Sequence, residues 1–186
     1  MEFYEVIRDR KSVRRYLPDK VPEEALLRVL EAARLAPSWC NKQCWSYIVV
    51  DDPGLISSIV AGGAKAFNAP MYIVLCADPS LSGSIGGKEY YLVDAAISME
   101  HLVLAATAEG LGTCWLGAMF NEESVKKALS IPDGLRVVAI TPLGYEAKGI
   151  GGFIGNNIVR AISSGRSRKP LNSMAYRNGH GRPLNK

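Results

Sequence analysis

Positive charge is concentrated near the start of the chain, in the stretch RDRKSVRRYL (residues 8–17). Five basic side chains fall within eight positions there, with Ser12 and Tyr16 interleaved. An arginine holds a phosphate through two charge-assisted hydrogen bonds, and a serine hydroxyl adds another donor. The stretch therefore predicts either a phosphate site or an ordinary solvated charge run, and these residues alone leave both open.

Other familiar catalytic arrangements find little support in the sequence. Cys40 and Cys44 lie four positions apart, but a zinc site needs four ligands and the only histidines are His101 and His180. Neither histidine has the motif context of a nucleophile's partner. The glycine-rich stretch 149–155 lacks the spacing of a phosphate-binding loop. We therefore expect no metal, and a cofactor that carries the chemistry itself.

Length and composition indicate one domain. The chain has 186 residues, of which 48% are hydrophobic and 22% charged. We expect no secretory leader, no apolar run long enough to span a membrane and no disulfide framework, and hence a cytoplasmic protein. After Glu146 there are eight basic residues and no acidic one. That tail lacks interleaved aromatic residues, which disfavours a nucleic-acid binder without removing that alternative.

Hydrophobic patterning predicts helices and strands mixed along the chain. The helix spanning 90–109 carries few charges, so we expect it to be central and to contact a partner subunit. Asn121 is predicted to cap a later helix. The predicted helices are 2–9, 22–36, 53–64 (ending in glycine), 90–109 and 121–132, and the predicted strands are 46–52, 71–79, 112–117 and 135–146.

Five stretches occur in the order and spacing of the nitroreductase family, and the sequence resembles that family over roughly residues 3–171. They are RKSVRRY (10–16), APSWCNKQCW (36–45), GLGTCWLG (110–117), VVAITPLGYE (137–146) and RSRKPL (166–171). The resemblance implies an α+β fold, with a central mixed, mostly antiparallel sheet flanked by helices, in one domain over residues 1–186. It also implies an intertwined homodimer, with the basic extension 160–186 wrapping the partner.

The same resemblance implies FMN at each of two subunit interfaces. Electrons from NADH or NADPH would pass in a ping-pong cycle to a small-molecule acceptor such as a nitroaromatic or a quinone. No side chain is expected to be catalytic, because flavin N5 itself carries the hydride. The alternatives are a relative with another reaction (enone reduction, reductive dehalogenation or flavin fragmentation) and a non-catalytic flavin-binding redox protein.

The resemblance assigns flavin contacts to the opening basic stretch. Arg14 would lie near flavin N1 and O2, where its charge favours the reduced ring. Arg8 and Arg15 match no family position and are expected to be solvated. The residues predicted to contact the phosphate, the ribityl chain and the pyrimidine edge are Arg10, Lys11, Ser12 and Arg14.

Three later stretches complete the predicted flavin site. Leu116 and Gly117 would offer backbone N–H groups to flavin N5, and Arg166 and Arg168 would bind the phosphate. Trp45 is expected to fill the core. The loop predicted to reach the partner's FMN contributes Pro37, Ser38, Trp39, Asn41 and Gln43. This loop departs from the family pattern, with Cys44 where proline is common and bulky residues at 39 and 40, which affects the substrate pocket.

Overall fold

The computed structural model describes residues 1–60, 67–147 and 168–184. The chain divides into two compact units, residues 1–150 and 151–186. The predicted glycine-rich stretch 149–155, Arg166 and the first part of the basic extension lie outside the described residues.

The first unit contains both helices and strands. The helices are α1 (Phe3–Asp9), α2 (Glu23–Arg34), α3 (Pro53–Ile59), α4 (Tyr90–Ala108) and α5 (Glu122–Leu129). The strands are β1 (Trp45–Val50), β2 (Met71–Ala77), β3 (Ser84–Ile85), β4 (Lys88–Glu89), β5 (Gly112–Thr113) and β6 (Arg136–Gly144).

The main sheet has four strands in the order β1-β2-β6-β5, and each neighbouring pair is antiparallel. A single parallel bridge joins Ser12 to Thr113. All seven residues of β2 are buried, as expected for a central strand covered on both faces. Alternate residues of β2 join the core formed with α2 and α4, namely Met71, Ile73, Leu75 and Ala77. The predicted α+β class with a mostly antiparallel sheet is confirmed.

Helix α4 is the central helix, as predicted. Ala95, Met99, Leu102 and Ala106 have no exposed surface and belong to the core. By length and composition alone α4 could cross a membrane, so the expectation that no segment is long enough was wrong on that criterion. Helix α4 is this apolar because it packs against α2 and the sheet, and an apolar core helix of that length meets the same criterion.

Several predicted boundaries hold and others do not. The Asn121 side chain accepts the Ser124 N–H at 2.8 Å, which confirms the predicted cap of α5. Helix α3 ends at Ile59 with extended Val60 after it, so the predicted end at a glycine was wrong. The predicted strand 112–117 is also too long. Only Gly112–Thr113 form β5, and the chain returns to β6 at one bridge between Leu116 and Ile140.

The second unit is described from Arg168 to residue 184. A bridge between Tyr176 and Pro183 closes a small hairpin, and the rings of Tyr176 and His180 lie 4.7 Å apart. Its basic side chains Arg168, Lys169, Arg177 and Arg182 are exposed.

Candidate functional site

The basic stretch that follows α1 lies against the short strand β5. The Val13 N–H donates to the Thr113 carbonyl at 2.8 Å, beside the parallel bridge from Ser12 to Thr113. Val13 is buried, and an added Cβ at Gly112 would lie 2.7 Å from one of its methyl carbons. Only glycine therefore allows this approach, and it brings the first and third predicted flavin stretches together.

Cys114, directly after β5, is the group whose pKa reflects Arg10, Ser12 and Arg14. Burial raises the pKa of the Cys114 thiol, and three groups oppose that shift: the charge of Arg14, a hydrogen bond with Ser12 and the charge of Arg10. Arg14 Nη1 also donates to the Ser12 carbonyl at 3.3 Å. Arg10 and Arg14 are partly exposed and Ser12 is exposed, so all three remain accessible to a ligand.

Lys11 and the end of the stretch are tied to the chain that follows β6. The Lys11 ammonium pairs with the Glu146 carboxylate at 2.6 Å. The Leu17 N–H donates to the Tyr145 carbonyl, and the Ala147 N–H donates to the Arg15 carbonyl. A flavin contact by Lys11 would require its pair with Glu146 to open. Arg15, like Arg8, is exposed, and each interacts with neighbouring groups.

The two backbone N–H groups predicted to face flavin N5 differ in the structure. The Leu116 N–H donates to the Ile140 carbonyl at 2.9 Å, and Ile140 returns the bond at 3.0 Å, so the Leu116 donor is already used. Gly117 is exposed, and an added Cβ would meet only the Trp115 ring, at 3.7 Å. Among the described residues the Gly117 N–H has no hydrogen-bond partner. Gly117 is therefore the accessible donor of the pair.

The loop predicted to reach the partner's flavin has an unusual backbone. Cys40, Asn41 and Gln43 all have positive φ, at 47°, 55° and 49°. This region costs a residue with a Cβ roughly 1 to 2 kcal/mol. Internal bonds support the shape: Ser38 Oγ accepts the Gln43 N–H at 2.9 Å, and the Gln43 side chain donates to the Asn41 carbonyl at 3.0 Å. Trp45, just beyond, packs against the core as predicted.

Asp94 is a residue that the sequence reasoning missed. It is 2% exposed on α4. One carboxylate oxygen accepts the Trp39 N–H at 2.9 Å, and the other accepts the Ser82 hydroxyl at 3.3 Å and the Cys44 thiol at 3.9 Å. Its signal was available, because it is the one acid within the first ten residues of a largely apolar helix. Buried carboxylates of this kind have a structural or functional partner.

The remaining predicted residues are placed as follows. Pro37 is exposed before the loop, and Ser38 and Trp39 are partly buried within it. Arg168 is exposed in the second unit, so its meeting with the first stretch stays a prediction.

These donors suit a flavin mononucleotide. The Arg10 guanidinium and the Ser12 hydroxyl match a phosphate dianion, and the Arg14 guanidinium matches the electron-rich edge of the ring, since charge-assisted bonds from Arg are strong and directional. A glycine N–H with no hydrogen-bond partner among the described residues, and with only the Trp115 ring within 4 Å of an added Cβ, suits the edge of a flat ring that must approach the backbone closely. The side chains and backbone present at the end of β5 therefore fit the group that the resemblance implies.

Comparison with known proteins shows the family of the chain. A family model described as "Putative TM nitroreductase" matches residues 2–184. A "Putative NADH dehydrogenase/NAD(P)H nitroreductase" of Methanothermobacter thermautotrophicus is 33% identical over 157 residues, covering 81% of this chain and 81% of that protein.

Solved structures agree. A nitroreductase family protein from Clostridium novyi NT is 47% identical with a TM-score of 0.74, covering 78% of this chain and 87% of its own. An FMN-dependent nitroreductase from Clostridium difficile R20291 is 28% identical with a TM-score of 0.69, covering 82% and 91%. Relatives at 26% identity include an iodotyrosine deiodinase of Thermotoga neapolitana and a 5,6-dimethylbenzimidazole synthase of Rhodospirillum rubrum. The chain belongs to the nitroreductase family.

Proposed function

We propose that this protein is an FMN-dependent NAD(P)H oxidoreductase that reduces small, electron-poor acceptors such as nitroaromatics and quinones in a ping-pong cycle. The observation that carries the proposal is the bridge from Ser12 to Thr113 at the end of β5, with Arg14 bonded to the Ser12 carbonyl. The charges of Arg10 and Arg14 both act on Cys114, three residues before the accessible N–H of Gly117. The names of the family's NAD(P)H nitroreductases and FMN-dependent members support the same chemistry.

The residues of this chain would bind and orient the cofactor, which supplies the hydride-accepting atom. Arg10 and Ser12 would hold the phosphate. Arg14 would place a fixed positive charge at the pyrimidine edge, where it stabilises the electron-rich ring. The Gly117 N–H would donate toward the reactive nitrogen. No side chain is assigned a proton transfer.

The active unit in this proposal is a homodimer in which each loop Ser38–Cys44 completes the partner's flavin site. Large apolar side chains on α1 and α4 are exposed in the single chain, which is typical of surfaces covered by another subunit. They are Phe3, Tyr4, Ile7, Leu92 and Val93. Helix α1 packs on α4, so these side chains belong to neighbouring elements. The cytoplasmic location stays a prediction.

The proposal is tested on the purified protein by identifying its pigment and then mixing it anaerobically with NADH or NADPH. We expect one FMN per chain and bleaching of the flavin absorbance by at least one nicotinamide. A panel of a nitroaromatic, a quinone, an enone and iodotyrosine then identifies the reaction. FAD, or no flavin after incubation with excess FMN, would contradict the cofactor. Bound FMN that neither nicotinamide reduces would indicate a non-catalytic flavin protein.

A further inference from the structure

Asp94 connects α4 to two other segments. Trp39 and Cys44 stand near the two ends of the loop Ser38–Cys44, and Ser82 lies in the segment before α4. No ion pair involves Asp94 among the described residues. A carboxylate this buried is costly to desolvate, and its hydrogen bonds are what offset that cost. Its position is therefore coupled to the shape of the loop.

The loop needs such support because of its backbone. Three of its residues with a Cβ adopt positive φ, and conformations of this kind persist only where the surrounding structure determines them. The bond from Ser38 Oγ to the Gln43 N–H lies inside the loop and moves with it. The Asp94 carboxylate instead stands on α4, whose neighbouring residue Ala95 is completely buried in the core. Asp94 thus joins the loop to the rigid part of the molecule, beside the backbone bond from the Asp78 N–H to the Cys44 carbonyl at 2.8 Å.

The ring of Trp39 is held from two sides as well. It stacks on Tyr90 with ring centroids 5.7 Å apart and planes 25° apart. An added Cβ at Gly83 would lie 2.6 Å from the Trp39 ring, so the backbone at Gly83 approaches the ring closely. The N–H of the same tryptophan is bonded to Asp94. Both the backbone and the side chain of Trp39 are therefore fixed.

We propose that Asp94 is a positioning residue for the electron-transfer reaction. It holds the loop Ser38–Cys44 so that the Trp39 ring and the polar groups of Asn41 and Gln43 are presented to the flavin and the acceptor. The inference rests on the proposed function, because it assumes that this loop lies at the flavin. It adds a residue that contacts neither cofactor nor substrate and acts through Trp39 and Cys44.

The test compares two substitutions of Asp94 with a control on the same helix. Asp94→Asn keeps one acceptor oxygen for the Trp39 N–H, but its amide nitrogen cannot accept from the Cys44 thiol. Asp94→Ala removes both acceptors. Ser98→Ala is the control, since Ser98 lies one turn further along α4, is completely buried and is bonded to Ala33 and Tyr47 instead of the loop.

The kinetic readout is measured at saturating FMN. We expect Asp94→Ala to raise the KM for the acceptor about ten- to a hundredfold, as misplacing a substrate-contacting group does. The rate of flavin reduction by the nicotinamide should fall much less, and Asp94→Asn should lie between Asp94→Ala and the wild type. Trp39→Ala removes the ring but keeps the backbone N–H that Asp94 accepts. In that background Asp94→Ala should therefore raise the KM less than it does in the wild type, because the part of its effect that acts through the ring is already lost. Additive effects would overturn the proposal.

A spectroscopic readout does not depend on flavin. The near-UV circular dichroism of the stacked Trp39–Tyr90 pair, identified with Trp39→Phe, should be lost in Asp94→Ala and retained in Ser98→Ala. If Asp94→Ala does not fold, the KM for the acceptor and the near-UV circular dichroism are measured on Asp94→Asn instead. Equal changes in the Asp94 and Ser98 variants, in step with equal losses of thermal stability, would show a purely structural role. A wild type that binds no FMN would refute the proposed function, while the dichroism would still decide whether Asp94 positions Trp39.

Discussion

Replacing Gly112 by alanine tests whether the basic stretch must lie directly against β5. The added Cβ would stand 2.7 Å and 3.0 Å from the two methyl carbons of Val13 and 2.8 Å from its Cβ. Carbon atoms prefer about 3.5 to 4.0 Å, so Val13 and its neighbours must retreat by roughly 1 Å. Retreat of that size would break the 2.8 Å bond from the Val13 N–H to Thr113.

The expected loss of stability follows from these two effects. Overpacking a filled site costs typically about 1 to 3 kcal/mol, and a lost backbone hydrogen bond about 0.5 to 1.5 kcal/mol. We expect Gly112→Ala to lower the free energy of unfolding by about 2 to 4 kcal/mol, or the Tm by roughly 4 to 16 °C. Since Ser12 moves with Val13, FMN affinity should fall about tenfold or more.

Urea unfolding and FMN titration of the same preparations measure both effects. Val13→Ala removes two of the three close carbon atoms, so the double variant should be more stable than the sum of the single effects predicts. Gly134→Ala is the control, because an added Cβ there meets nothing within 4 Å and the stability should change by about 0.5 kcal/mol at most. Gly112→Ala with wild-type stability and FMN affinity would refute the packing argument.

Three further predictions concern other parts of the first unit. Asn121→Ala should lower the free energy of unfolding by about 1 kcal/mol in urea, since the cap of α5 is lost; an unchanged midpoint would contradict the cap. The hydrogen bond from Arg136 holds the pKa of Glu122 below 4.5, so this pair contributes stability that is present above pH 4.5 and lost as the pH falls through the lowered pKa. Glu122→Gln should remove that part of the acid sensitivity in unfolding curves, and an identical pH profile would count against it. Cys40 is exposed while the other three cysteines are buried, and burial raises the pKa of Cys76 to about 11. A thiol reagent should therefore label Cys40 ahead of the other three cysteines, and Cys40→Ser should abolish that first labelling; faster labelling of any buried cysteine would disagree with the structure.

The helices and strands that the sequence could predict are those that a local pattern of residues stabilises. Helix α2 and strand β2 are marked by their apolar residues, and Asn121 marks the start of α5. The end of β5 cannot be predicted from a local pattern, because a long-range contact determines it. The chain leaves β5 after Thr113 and returns to β6 only at the bridge between Leu116 and Ile140. The β3–β4 hairpin did have a local signal that was overlooked. Gly86 and Gly87 take φ of 59° and 76°, as a two-residue hairpin turn requires.

The candidate site divides in the same way. Family motifs identified the basic stretch, but only the fold shows that Ser12 lies beside Thr113 or that Lys11 is paired with Glu146. The bond from the Trp39 N–H to Asp94 joins residues 55 positions apart. No spacing rule predicts such a contact, because it depends on how α4 packs against the loop. An acid among the first ten, otherwise uncharged, residues of an apolar helix was the clue to it.

Binding of FMN by the basic stretch is tested most directly by titrating FMN into the apoproteins of the wild type, Arg10→Ala and Arg15→Ala at one salt concentration, with riboflavin in parallel. Arg15 is the matched control, since it is exposed in the same stretch and is assigned no flavin contact. Loss of a charged hydrogen bond costs about 1.5 to 3 kcal/mol, so Arg10→Ala should weaken FMN binding by roughly ten- to more than a hundredfold. Riboflavin lacks the phosphate, and its weak binding should be nearly the same in all three proteins. Equal FMN affinities for Arg10→Ala and Arg15→Ala would contradict the account and leave the stretch as a charged surface.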